Sequence, residues 1–137
     1  MQRTVMMLAC ALVVACCGCG PDTTPKVGSH TVLHGINLPT GKRDSQAILC
    51  KDEHDTTEMY LALNKNPATT ETTEGMEASG RAVEVPANTI SVAVLRTGGD
   101  AGACQVRIVD ASADRVQGAL LRPGSTWWTF EECIQKP

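Results

Sequence analysis

Aromatic side chains are scarce in this sequence. Its 137 residues contain two Trp, one Tyr and one Phe, which together make up 3% of the chain. Aromatic rings dominate the energetics of cores and of contact surfaces. Each of the four rings therefore has to be assigned either to the core or to a surface that meets a partner.

Clustered positive charge is also lacking. The chain has 12 Lys and Arg against 15 Asp and Glu, a net charge of −3, and no extended run of basic residues. Binding of nucleic acid and electrostatic attraction to anionic lipid both depend on basic clusters. We therefore predict no nucleic-acid partner.

Sequence motifs of catalysis are missing as well. The chain has no Gly-x-Ser-x-Gly nucleophile motif, no Walker loop and no His-Glu-x-x-His. All three histidines precede residue 55, and nothing in the pattern places one beside a nucleophile. The sequence predicts no cofactor and no catalytic residue. The alternative is an enzyme whose site is assembled from dispersed residues.

The longest apolar run is too short to cross a membrane. It extends for 11 residues from Val5 to Ala15, behind the single charge of Arg3, whereas a membrane-spanning helix needs about 20. A short apolar run that follows a positive charge and ends in small residues is typical of a cleaved signal peptide. An ordinary cleavage after Gly18 or Gly20 is the alternative to the lipidation described next.

The residues Val13-Val14-Ala15-Cys16 resemble the lipobox of bacterial lipoproteins, with Cys19 as the competing position. The resemblance implies that Cys16 is lipidated and becomes the mature N-terminus, so that the partner at this end is a membrane reached through a lipid anchor. Cys17, rather than Asp, follows the lipidated position, and by analogy this favours the outer membrane of the cell envelope over the inner membrane.

These features divide the chain into three parts. Residues 1–15 are the predicted signal peptide, 16–29 the lipidated N-terminus with a Gly-, Pro- and Thr-rich tether, and 30–137 a single globular domain. Without Arg3 the mature chain keeps 11 basic and 15 acidic residues, a net charge of −4. The anchoring therefore has to come from the lipid.

Alternating apolar residues predict a domain built of strands. The fold class is all-β, an antiparallel sandwich (Ig-like or similar) or a small barrel with about seven or eight strands. Residues 57–63 alternate as a strand does, although their composition also allows a short helix near 57–64. Residues 64–80 are predicted to be a polar loop. The predicted strands cover 31–36, 45–51, 81–85, 89–96, 103–110, 115–122 and 126–131.

Three cysteines of the domain are disulfide candidates: Cys50, Cys104 and Cys133. A meander with a strand at 115–122 sets Cys104 and Cys133 near opposite ends of the sheet, too far apart for a bond. We therefore predict Cys50 as a member of any bond within the domain. The odd cysteine stays free, reaches Cys17 or Cys19, or bonds a partner.

The remaining candidate site residues are possible metal ligands and possible partner-binding residues. Cys50 and His54, joined by His30 and His34, carry ligand-type side chains, but their spacing matches no structural zinc motif, and a polar turn explains the segment equally well. The surface candidates are Trp127, Trp128 and Tyr60, since an outward ring in such a chain suits an envelope protein or a glycan as partner. The leading hypothesis is a binding or assembly-accessory module, with a structural or inhibitory lipoprotein and an envelope enzyme as alternatives.

Overall fold

The described part of the protein is mostly β-structure. The computed structural model describes residues 25–35, 45–111 and 121–135. Within these ranges it contains one antiparallel sheet of six strands and three short helices. The elements in chain order are β1 (His30–Val32), β2 (Gln46–Cys50), α1 (Glu53–Leu63), α2 (Thr73–Ala78), β3 (Ala82–Pro86), β4 (Ile90–Arg96), β5 (Ala103–Ala111), β6 (Thr126–Phe130) and α3 (Glu131–Ile134).

The prediction of a β-domain is confirmed at this coarse level. The hydrogen bonds join the described strands into a single open sheet in the order β1-β4-β5-β6-β2-β3. The described strands form no second sheet packed against the first, and the two edge strands β1 and β3 do not pair with each other to close a barrel. The strands expected from alternation at 45–51, 81–85, 89–96, 103–110 and 126–131 agree with the observed bounds to within about one residue.

The sheet is strongly curved. β3 and β4 follow each other along the chain but stand four strand positions apart, which in a flat sheet is about 19 Å. The four Cα steps from Pro86 to Ile90 reach at most about 14 Å. The sheet therefore has to curl, and its concave side carries the aliphatic core: Leu49, Val83, Val85, Val92, Val94, Val106 and Ile108, with Trp127 among them.

Helix α1 occupies the segment whose alternation favoured a strand. Asp52 accepts a hydrogen bond from the backbone N–H of Asp55 at 2.7 Å and so caps the helix. Glu53 and Asp55 place negative charge in the first turn, where the helix dipole favours it. Met59 is fully buried while Leu61 and Leu63 are only half-buried. The reading of 57–63 as a strand is therefore wrong, and the alternative of a short helix is correct.

The predicted loop at 64–80 contains helix α2. The hydroxyl of Thr72 accepts from the N–H of Gly75 at 3.0 Å and caps this helix. Met76 on α2 is fully buried, and its carbonyl accepts from the N–H of Arg81 at 3.0 Å. The burial of this one large apolar side chain thus anchors a polar segment that was predicted from the sequence to be a loop.

The strand order differs from the predicted meander. β5 and β6 are direct antiparallel neighbours, with Cys104 opposite Thr129, and β3 pairs with β2 rather than with β4. Cys133 lies on α3, directly after β6, and so at the same end of the sheet as Cys104. The prediction that these two cysteines lie at opposite ends is wrong. The strand expected at 31–36 is shorter than predicted, because β1 ends at Val32 and residues 33–35 are not strand. Residue 36, most of the strand expected at 115–122, Cys16 and the signal peptide fall outside the described residues.

Candidate binding face

One part of the convex sheet surface is left uncovered by the helices. Helices α1 and α2 pack over the convex side of β2, β3 and the ends of β5 and β6, where Cys50, Ala82 and Phe130 are buried. Beyond the helices, cross-strand partners place five side chains in two adjacent rows of β4, β5 and β6. We call this surface the open face. It consists of Arg96, Gln105 and Trp128 in one row, with Arg107 and Thr126 in the next.

Trp128 is the aromatic residue of the open face. It is half-buried, and the guanidinium carbon of Arg96 lies 5.6 Å from the centroid of its ring. A cation above a Trp ring at a partly exposed site stabilises the arrangement by about 0.5–1 kcal/mol. The contact holds the ring in one orientation and keeps the charge of Arg96 at the surface.

Trp127 points the other way, since successive side chains of a strand alternate between faces. Its exposed fraction is 5%, and its Nε1 donates a hydrogen bond to the hydroxyl of Ser125 at 3.2 Å. Of the two tryptophans that the sequence offered as contact residues, Trp128 is the one on the open face, whereas Trp127 is almost fully buried.

Tyr60 lies at the rim of the open face. Its ring centroid is 6.4 Å from that of the buried Phe130, at an angle of 49°, and 38% of the residue is exposed. Phe130 and Trp128 are two residues apart on the same face of β6. Tyr60 therefore extends the aromatic surface from Trp128 towards α1.

The cations of the open face have no acidic partner among the described residues. The ion pairs found there join His54 to Glu58 and Arg81 to Asp55 and Glu71. Arg96 and Arg107 take part in none of them. Within the described ranges both guanidinium groups therefore lie outside any ion pair, on a chain whose net charge is negative.

A shallow hollow adjoins this surface at the start of β6. Its volume is about 290 Å³, and it is lined by Lys51, Ser125, Thr126 and Trp127. Thr126 of the open face lines this hollow together with Trp127, whose ring points to the opposite side of β6, so the hollow lies at the end of the sheet next to the open face. Lys51 adds a third cation, which the sequence separates from Arg96 and Arg107 by about forty residues or more.

The acidic groups in these ion pairs lie around α1 and α2, on the same convex side of the sheet as the open face but over β2 and β3. Arg81 contacts Glu71 at 2.6 Å and Asp55 at 3.6 Å, and the hydroxyl of Thr69 donates to the carboxylate of Glu58. Burial raises the pKa of Asp55, as does the neighbouring charge of Asp52, while Arg81 opposes the shift. These contacts tie α1 to the segment before β3, and we interpret them as structural.

The three domain cysteines are buried and none is paired with another. Burial raises the pKa of Cys50 to about 12 and that of Cys104 to about 11. It raises the pKa of Cys133 as well. At neutral pH all three are therefore protonated thiols, which are poor nucleophiles and poor metal ligands.

The residues considered as metal ligands are not brought together. The side chain of His54 is 77% exposed and lies 4.0 Å from Glu58, while Nδ1 of His34 is 3.1 Å from the side-chain oxygen of Asn88. His30 is exposed on β1, and Cys50 is buried beside Thr56. Within the described residues no group of three or more potential ligands is placed to hold a metal ion.

Comparisons with known proteins identify no relative for the chain. No family model, no curated protein and no solved structure matches it. None of the helices in the described ranges is long and apolar enough to span a membrane. The function is therefore argued from the residues alone.

Proposed function

We propose that this protein is an envelope lipoprotein, anchored through a lipid on Cys16, whose β-domain works by binding a partner on the open face. The observation that carries the proposal is Trp128, a partly exposed ring beneath the guanidinium of Arg96, on a part of the sheet that the described helices do not cover. Trp and Arg are the residue types most enriched where binding energy is concentrated.

The position of Trp128 is informative because the chain has only four aromatic side chains. Trp127 and Phe130 are used in the core, and Tyr60 packs on Phe130. Trp128 packs against the edge of the core but remains partly exposed on the convex side. A contact role explains why the second Trp of the pair lies on the outer side of β6.

The lipid anchor supports the same proposal. A tethered domain needs no catalytic site to act, because the anchor raises the local concentration of the domain at the membrane surface. The mature chain is acidic, so the surface charge as a whole does not draw the domain onto anionic lipid. The open face is then available to a partner in the envelope.

The experiment is recovery of partners from native envelope with the lipidated protein and two variants. We expect Trp128→Ala to lose one defined partner. Glu74→Ala, which shortens an exposed side chain on α2, over the edge strand β3, should recover it as the parent does. Matched urea denaturation midpoints must accompany the comparison, so that loss of the partner is not loss of the fold. Equal recovery by Trp128→Ala and the parent would contradict the proposal.

A further inference from the structure

We infer that the partner of the open face is an anionic glycan, bound with its sugar rings against Trp128 and its acidic groups against Arg96, Arg107 and Lys51. The inference rests on the proposed function, because it names the chemistry of the ligand for the same surface. Three features of the described residues carry it: the charge of the face, its hydrogen-bonding groups and its small apolar area.

The charge of the face is positive within a negative protein. Arg96 and Arg107 occupy neighbouring rows, which lie two residues, or about 7 Å, apart along β5. Neither row contains an acidic residue. Asp110 is the next carboxylate along β5, and it lies opposite Ser91 on β4, beyond the row of Arg107. A ligand with acidic groups at similar intervals meets complementary charge.

The neutral groups of the face are suited to hydroxyl-rich ligands. Gln105 stands between Arg96 and Trp128 in the first row, and Thr126 stands beside Arg107 in the second. An amide and a hydroxyl each donate and accept hydrogen bonds, as a sugar hydroxyl does. The ring of Trp128 offers an apolar surface to the C–H groups of a sugar. The hollow at Lys51, about 290 Å³, is of a size for one sugar unit with an acidic substituent.

The apolar area argues against a protein partner on this face. Stable protein interfaces bury about 800 Å² on each partner around an apolar centre. The large hydrophobic residues most exposed in the described ranges are Val27, Tyr60 and Val109. Of these Tyr60 lies beside Trp128, and Val109 lies two residues beyond Arg107 on the same side of β5. A small, mostly polar contact surface around the ring of Trp128 suits a glycan better than a folded protein.

The test is a titration of the mature lipidated protein, held in neutral detergent, with polymers of known chemistry. The probes are polygalacturonate for carboxylated glycans, heparin for sulfated glycans, dextran as a neutral glycan and poly-glutamate as an acidic polypeptide. We expect at least one anionic glycan to bind and to change the fluorescence of Trp128. Dextran should not bind, and poly-glutamate should bind at least tenfold more weakly than the preferred glycan.

Variants make the test specific to the face. We expect Arg107→Gln and Trp128→Ala each to weaken glycan binding by tenfold or more. Lys65→Gln removes an exposed charge at the far end of α1 and should change binding by less than twofold. The inference is overturned if neither anionic glycan binds at low salt, or if Lys65→Gln and Arg107→Gln are equally impaired.

The glycan titration and the envelope experiment test separately whether the ligand is a glycan and whether the open face binds a partner. If poly-glutamate binds as tightly as the best glycan, or if no polymer binds, the glycan is refuted. In either case the proposed function stands as long as Trp128→Ala still loses its partner from the envelope. If both experiments fail, the open face has no role in binding.

Discussion

At the scale of single residues, Trp127 and Trp128 are neighbours with different surroundings. Trp127 is 5% exposed within the curved sheet, whereas Trp128 lies half-buried under Arg96 on the outside. The sequence predicted that the two rings face opposite ways, because strand residues alternate. It left open which ring is inside, since that depends on the direction in which the sheet curls.

Replacing the two tryptophans in turn should separate the core from the surface. We expect Trp127→Ala to lower the free energy of unfolding by about 3–5 kcal/mol, since it empties a buried site. Trp128→Ala should cost about 1 kcal/mol, because the ring is partly solvated already. Urea denaturation followed by circular dichroism measures both values. Equal losses for the two variants would contradict the assignment.

The cysteines give a second prediction at this scale. Because Cys50, Cys104 and Cys133 are buried with raised pKa values, the folded, reduced protein should react with iodoacetamide at pH 8 far more slowly than the same protein in urea. An unfolded thiol has its ordinary pKa of 9.0 and is half ionised at that pH. The folded state holds these protons more tightly, so these thiols contribute stability below that pH and lose it as the pH rises towards 11–12. Rapid labelling of any of the three in the native protein, read by mass spectrometry of its peptides, would show an accessible thiol.

At the scale of elements, alternation predicted five of the strands closely, whereas the helix near 57–64 was only an alternative suggested by composition and α2 was not predicted. Residues 57–63 alternate as a strand does, but the decisive signal lies upstream in Asp52, whose side chain caps α1. In the segment before β3, Met76 is the only large apolar residue among polar neighbours. A single apolar residue cannot show the periodic spacing from which a helix or a strand is predicted. Its burial depends on where α1 lies, which is a tertiary effect.

The anchoring of α2 by Met76 can be measured directly. We expect Met76→Ala to cost about 2–5 kcal/mol of unfolding free energy, as the truncation of a fully buried Met does. Glu74→Ala on the exposed side of the same helix should stay within about 0.5 kcal/mol of the parent. Amide hydrogen exchange over residues 72–81 should quicken in the Met76 variant alone. An unchanged midpoint for Met76→Ala would mean that this segment is a surface loop after all.

At the scale of the whole molecule, pairing between strands creates a surface that the sequence does not display. Lys51 is more than forty residues from Arg96 and Arg107, which lie on the consecutive strands β4 and β5, and no basic cluster is visible in the sequence. Alternation is enough to place Gln105 and Arg107 on one side of β5. Which residues of β4 and β6 stand beside them depends on the register, and short antiparallel strands do not specify their neighbours. The same limit explains why the order of β5 and β6, and with it the positions of Cys104 and Cys133, was predicted incorrectly.

The lipid anchor is a prediction from the N-terminal residues alone. Mass spectrometry of the mature protein should find Cys16 as the first residue, with the mass of acyl chains added. A mature chain that begins at Cys19, or at Pro21 without lipid, would contradict the assignment. Neither result alters the open face, because that surface belongs to the described domain.

The most direct test of the central claim is a footprint of Trp128 in the native envelope. Hydroxyl radicals oxidise exposed side chains, and mass spectrometry reads the extent at each residue. We predict that oxidation of Trp128 falls severalfold in intact envelope relative to the purified protein. His54, whose side chain is 77% exposed on α1, should be oxidised equally in both. Equal oxidation of Trp128 in the two samples, or a parallel fall at His54, would contradict a binding role for the open face.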